Sequence, residues 1–224
     1  MSVSQNLQTL KASLKPGVRL VAVSKTMPVS VLREAYDAGQ RHFGENKVQE
    51  ITLKQPEMPQ DVLWHFIGHL QTNKVKYIAP FVHLIESVDS LKLLKEIDKQ
   101  GARNQCVINC LLQFYFAGEE TKFGLDRAEA QSLMEVVQTE KMNHIAILGV
   151  MGMASFTDDQ AQIRNEFKQL KGHFDWLKNE WFAKDERFCE ISMGMSGDYQ
   201  IAMEEGSTNV RIGSSVFGAR VYSK

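Results

Sequence analysis

Leu20-Val21-Ala22-Val23-Ser24-Lys25 is a short apolar, partly β-branched run that ends in an amine. Such a run reads as a strand buried on both faces, as in parallel sheets. Side chains alternate along a strand, so a Lys25 turned to one side shares it with Val23 and Val21, while Ala22 and Ser24 take the other. A lysine at the mouth of a buried strand is partly desolvated, which enriches the neutral amine and suits it to form an imine with an aldehyde. Alone it carries little, because an isolated lysine at a strand end ordinarily reaches solvent.

Seven further runs of this kind follow: His42–Gly44, Leu63–Ile67, Leu84–Glu86, Cys106–Phe114, Ile145–Val150, Phe188–Ile191 and Asn209–Ile212. An amphipathic, helix-length segment follows nearly every one, which is the pattern of βα units around a parallel sheet. Pro28 and Ser30 open Val29–Ala38, which Gly39 stops; Asp89 or Ser90 caps Leu91–Lys99 ahead of Gly101; Asp158 precedes the long segment Gln160–Phe182. The aromatic positions of that last segment, Phe167, Phe174, Trp181 and Phe182, read as core contacts at helical spacing.

Eight βα units in 224 residues predict a compact (β/α)8 barrel of the TIM type, with Met1–Leu14 as an extra N-terminal helix and residues 1–224 as one domain. An open, doubly wound sheet is the structural rival. The barrel is preferred because closure brings the ends of the first, seventh and eighth strands together. Two Ser/Gly-rich turns stand there, Ser192-Met193-Gly194-Met195-Ser196-Gly197 and Gly213-Ser214-Ser215, whose backbone N–H groups and hydroxyls can hold an anion. Barrels of this type repeatedly bind phosphate between the loops after strands seven and eight, although many βα turns carry Gly and Ser for geometry alone. An amine and an anion cradle converging on one ligand point to pyridoxal 5'-phosphate (PLP).

In Asn209-Val210-Arg211-Ile212-Gly213, alternation turns Arg211 away from Val210 and Ile212 and into the barrel. Guanidinium offers only donors, so beside a pyridine nitrogen it leaves that nitrogen unprotonated and the ring a weak electron sink. The competing reading pairs Arg211 with a barrel carboxylate such as Glu45 or Glu86. Asn46, after the second strand, can donate to a ring oxygen, and Glu45 is an ionisable group beside it; either can instead cap the next helix. Lys122 and Lys224 are expected to be solvated.

The formal net charge of −1 gives no basic field to gather nucleic acid or an anionic membrane, and neither is expected as a partner. No Walker-type glycine run and no GxGxxG after the first strand supports nucleotide binding, and no nucleophile elbow is present. His65-Phe66-Ile67-Gly68-His69 lacks the glutamate of HExxH and reads as strand then turn, so no metal is assigned. Cys106, Cys110 and Cys189 form no CxxC pair and are read as small buried hydrophobes in a reducing compartment. With no signal-like or membrane-spanning apolar stretch, a cytoplasmic monomer is expected.

Several blocks, in order, resemble the pyridoxal phosphate homeostasis proteins, which are similar to the N-terminal barrel of alanine racemase standing alone. They are Val21-Ala22-Val23-Ser24-Lys25-Thr26, Phe43-Gly44-Glu45-Asn46, Trp64-His65-Phe66-Ile67-Gly68-His69-Leu70-Gln71, Ser192-Met193-Gly194-Met195-Ser196, and Gly206-Ser207-Thr208 running into Val210-Arg211-Ile212-Gly213. The resemblance implies that Lys25 forms the imine, that Ser192 with Gly213 and Ser214 holds the phosphate, that Arg211 faces the pyridine nitrogen, that Asn46 lines the ring's other edge and that Met193 also belongs to the cofactor site. It also implies a carrier or regulator in vitamin B6 homeostasis, with no catalytic residue and no turnover of its own, whose partners are PLP and the apo-forms of PLP enzymes. Lys47 and Gly197 stand where the family often has tyrosine or arginine and aspartate, respectively. A PLP-dependent amino-acid racemase is the enzyme-class alternative, and a barrel aldolase using Lys25 on a sugar phosphate is a third reading.

Overall fold

The computed structural model describes residues 2–116 and 123–218. Lys122 and Lys224 lie outside the described residues. Eight parallel strands close into a barrel in sequence order: β1 Arg19–Val23, β2 His42–Glu45, β3 Leu63–Phe66, β4 Leu84–Val88, β5 Ile108–Gln113, β6 Ile145–Met151, β7 Glu190–Ser192 and β8 Asn209–Ile212. The closing seam pairs β1 with β8, setting Val21 opposite Arg211 and Ala22 opposite Ile212. The open-sheet alternative has no such seam.

Around the strands lie α1 Val3–Ser13, α2 Val29–Asp37, α3 Val48–Lys54, α4 Val75–Ile78, α5 Leu91–Asn104, α6 Arg127–Glu140, α7 Gln160–Glu180, α8 Tyr199–Glu204 and α9 Ser214–Phe217. The expected N-terminal helix is α1, started by a capping box between Ser2 and Gln5. It buries Leu7 and Leu10, and the Asn6 side-chain amide donates to the Val216 carbonyl at 3.0 Å, tying the start of the chain to α9.

Three local expectations are corrected. Gly101 does not stop α5, which runs on to Asn104 and turns out through Gln105 at φ 53°. A Cβ at Gly101 would stand 2.5 Å from the His144 carbonyl oxygen, so glycine is there to admit the chain entering β6. Helix α7 is capped by Asp159, whose carboxylate accepts from the Ala161 and Gln162 N–H groups, rather than by Asp158. Of the cysteines, only Cys110 is buried; Cys106 is half-buried and Cys189 exposed, because Cys189 precedes β7 at the barrel's outer edge.

The main core lies between sheet and helices, with Ala22, Phe43, Phe66, Leu94, Phe167 and Val210 among its members. Each large side chain so buried contributes about 1.5–3 kcal/mol. Inside the closed sheet the apolar filling is smaller, Leu84, Leu111 and Met151. The rest of the interior includes the polar groups of His65, Glu86, Ser192 and Arg211, all of them buried.

The β5–β6 register slips between Cys110 and Leu111, and Gly149 faces Leu111 just beyond the slip. A Cβ on Gly149 would sit 1.7 Å from the Glu190 carbonyl oxygen, a backbone atom that cannot swing aside. Gly149→Ala is therefore expected to lower stability by at least about 2 kcal/mol, read as a lower midpoint in urea unfolding.

Candidate functional site

At the C-terminal end of the strands, Val23, Lys25, Asn46, Ile67, Arg211, Gly213 and Ser214 line a cavity of about 140 Å³ together with Met153, Met195 and Ser196. Alternation explains the set: Val23 and Lys25 continue the inward face of β1, and Asn46 follows His42 and Gly44 on that of β2. Lys25, Asn46, Arg211, Gly213 and Ser214 are thus brought together from the loops after β1, β2 and β8 and from β8 itself.

The turn that presents Lys25 is strained. Thr26 has φ 67°, a left-handed conformation that a β-branched residue rarely adopts. Its N–H donates to Glu50 Oε2 at 2.7 Å; Lys54 Nζ bridges Glu50 at 3.1 Å, Glu45 at 2.8 Å and the Ser24 carbonyl at 2.9 Å. Burial works against the Glu50 charge, yet the Thr26 N–H and Lys54 hold its carboxyl below the usual range. Glu45 is therefore not at the cavity: it lies behind β1, where its Oε1 also accepts from Ser24 at 2.6 Å and burial raises its pKa.

Asn46 keeps a buried Oδ1 that has no hydrogen-bond partner among the described residues. A buried amide oxygen in a cavity wall fits a donor on a bound molecule, because leaving it unmet costs about 1–3 kcal/mol. A Cβ on Gly68 would lie 2.2 Å from the Asn46 carbonyl oxygen, so the loop after β3 packs directly on the Asn46 backbone and fixes it.

Across the cavity the loops after β7 and β8 meet, with the Ser196 and Ser214 hydroxyls 3.0 Å apart. Helix α9 starts at Ser214 with no side-chain cap; the Val216 and Phe217 N–H groups already donate to the Gly213 carbonyl, so those of Ser214 and Ser215 are the ones suited to an anion. A Cβ on Gly213 would meet the Val23 carbonyl oxygen at 3.1 Å, which keeps this turn tight against β1.

Ser192 and Met193 are placed differently from the expectation. Ser192 ends β7 beneath the cavity, its hydroxyl donating to Glu86 Oε2 at 2.5 Å and accepting from Arg211 Nη1 at 2.6 Å. Met193 is fully buried in the main core, its N–H bonded to the Asn209 carbonyl. The serine that reaches the cavity from this loop is Ser196; it stands in the same Ser/Gly run, and only the course of the turn separates the two.

Arg211 is 4% exposed and stands both in the cavity wall and beside a barrel carboxylate. It lines the cavity, donates from Nη2 to the Gly152 carbonyl at 2.8 Å, and lies 3.9 Å from Glu86 Oε2. Burial pulls its pKa down, opposed by the charges of Glu86 and Asp198. Burial likewise opposes the Glu86 charge, but His65 at 2.6 Å, Arg211 and Ser192 outweigh it and hold that carboxyl below the ordinary range. The sequence named Glu86 as a partner for Arg211 but gave no sign of His65 behind it.

Barrel, inward lysine and facing anion-suited turns define a class, the alanine racemase N-terminal type of barrel, and the family model for "Alanine racemase, N-terminal domain" matches residues 2–221. The fold recurs in alanine racemase from Bartonella henselae at a TM-score of 0.72 and 16% identity, covering 97% of this chain and 58% of that one. The "Pyridoxal phosphate homeostasis protein" of Aquifex aeolicus is 39% identical over 205 residues, 91% of this chain and 88% of its own. PipY of Synechococcus elongatus PCC7942, solved with PLP bound, superposes at a TM-score of 0.87 with 35% identity over 97% of this chain and 100% of that one. The chain belongs to the pyridoxal phosphate homeostasis protein family. No helix among the described residues is long and apolar enough to cross a membrane.

Ser192→Ala should strip one acceptor from Arg211 and one donor from Glu86 in a dry interior. The expected cost is about 1–3 kcal/mol by urea unfolding. Ser214→Ala, at an exposed position of the cavity wall, should cost under about 0.5 kcal/mol.

Proposed function

We propose that this chain binds pyridoxal 5'-phosphate through an imine to Lys25 and acts as an intracellular carrier or regulator of that cofactor. The observation that carries the reading is the convergence, in one cavity, of Lys25, a buried and unpartnered Asn46 oxygen, Arg211 and the paired Ser196 and Ser214 hydroxyls. Bound PLP supplies an electrophilic carbonyl carbon and an aromatic ring. The protein's part is to hold and orient it.

Lys25 extends from a turn whose backbone is fixed by Glu50 and Lys54, so little backbone freedom is lost when its amine engages a carbonyl. Ser196, Ser214 and the start of α9 provide the phosphate cradle between the last two strand loops. Arg211 would meet the ring nitrogen with donors only, and its hold on Gly152 and Ser192 keeps it from swinging away. A donor facing that nitrogen keeps it unprotonated, which suits retention of the cofactor more than carbanion chemistry on it. Ser192 and Glu86 act through Arg211 as positioning residues.

Added PLP should give the wild-type protein an absorbance band at the edge of the visible that borohydride fixes onto Lys25, and Lys25→Ala should stay colourless. Covalent cofactor retained in Lys25→Ala overturns the imine. The double change Ser196→Ala with Ser214→Ala should weaken PLP at least about tenfold, a difference of about 1.4 kcal/mol, while leaving pyridoxal, which has no phosphate, nearly unaffected. Solvent deuterium appearing at the α-carbon of an amino acid, above the rate with free PLP, would instead make the chain a racemase-like enzyme. Activation of a PLP-dependent apoenzyme faster than release into solution allows is the result expected of a carrier.

A further inference from the structure

The N-terminal end of the barrel, opposite the cavity, gathers three histidines from adjacent strands. His42 opens β2, His65 lies within β3 and His83 immediately precedes β4. His42 Nδ1 and His65 Nε2 are 2.9 Å apart, and one ring nitrogen from each of the three lies within 4.8 Å of the others. The ring centroids are separated by 5.2, 5.5 and 5.8 Å. His65 is fully buried and its partners are half-buried.

From these positions we propose that His42, His65 and His83 form a binding site for one divalent first-row transition-metal ion of the zinc type, distinct from the Lys25 cavity. Three imidazoles with no thiolate select an ion of borderline softness. A tetrahedral ion with bonds of about 2.0–2.1 Å holds its ligand nitrogens about 3.3 Å apart. One pair stands at 2.9 Å and no pair exceeds 4.8 Å, distances from which ring rotation can reach that span.

The surroundings also suit an ion. His65 gives its other ring nitrogen, Nδ1, to Glu86 Oε1 at 2.6 Å. A carboxylate behind a ligating imidazole fixes its tautomer and strengthens it as a donor. Arg19 opposes a cation here. It is occupied by Glu190, which its Nη1 meets at 3.0 Å to each oxygen, and by Asn209 Oδ1 at 2.9 Å.

A groove of about 550 Å³ lined by Lys11, Lys15, Arg19, Arg41 and His42 reaches one of the three rings from solvent. Its basic lining favours an anion in the fourth coordination position, and three protein ligands leave that position open. His69, the histidine nearest to His65 in sequence, takes no part: it lies at the other end of β3, stacked on Phe123 and bonded to Asp89.

The test is titration of the PLP-free full-length protein with Co²⁺, whose visible bands report its geometry, and with Zn²⁺ in competition with a chromophoric chelator. One ion per chain with four-coordinate Co²⁺ bands is expected. His42→Gln and His83→Gln should each weaken Zn²⁺ at least about tenfold. His144→Gln, at a half-buried position beside Asp98, should change nothing. Absence of stoichiometric uptake by the wild-type chain overturns the proposal, as does unaltered uptake when His42 and His83 are replaced together. Retained PLP binding in the variants shows that they are folded, and the wild-type Co²⁺ spectrum decides the matter without them.

Discussion

A positive charge inside a closed sheet is the constraint on which much of this barrel turns. Arg211 sits on β8 with almost no exposure, and a guanidinium taken out of water needs a counter-charge and partners for its donors. Glu86 on β4 supplies the charge, Ser192 on β7 bridges the two, and the Gly152 carbonyl after β6 takes a further donor. Four strands are thereby tied to one side chain. The interior of the barrel could not be filled with leucine and valine alone once that arginine was placed, which accounts for its sparse apolar filling.

The same requirement carries the organisation down the axis. Glu86 has two oxygens; one serves Ser192 and Arg211, and the other serves His65, which in turn meets His42. A continuous line of polar contacts therefore joins the cavity at the C-terminal ends of the strands to the histidines at their N-terminal ends. In a water-poor interior such a line is favourable only when every member is satisfied, so it specifies the mutual placement of β2, β3, β4, β7 and β8 more sharply than apolar packing does.

How much of this could be read from the sequence depends on whether the signal was local. The βα alternation, the inward direction of Lys25 and Arg211 and the bounds of β8 follow from period-two patterning and turn residues, and the barrel followed from where those residues had to meet. Gly101 misled because a glycine that ends a helix and one that admits a neighbouring chain look alike in sequence; only the His144 carbonyl distinguishes them. Ser192 and Ser196 stand in one Ser/Gly run, and only the course of the turn after β7 sets Ser192 beside Arg211 and Ser196 in the cavity wall. The three histidines stand on separate strands, 23 residues apart for His42 and His65, with no spacing that marks a site. Only the lateral register of β2, β3 and β4 unites them.

The left-handed torsion at Thr26 has a consequence beyond geometry. A β-branched residue held there stores conformational energy next to the lysine, and the cluster of Glu50, Lys54 and Glu45 behind the sheet is what keeps it from relaxing. The direction of the Lys25 side chain is thus governed from the far side of β1, by groups that never touch a ligand. Replacing Glu50 would therefore free Thr26 from its left-handed torsion without altering any side chain that lines the cavity.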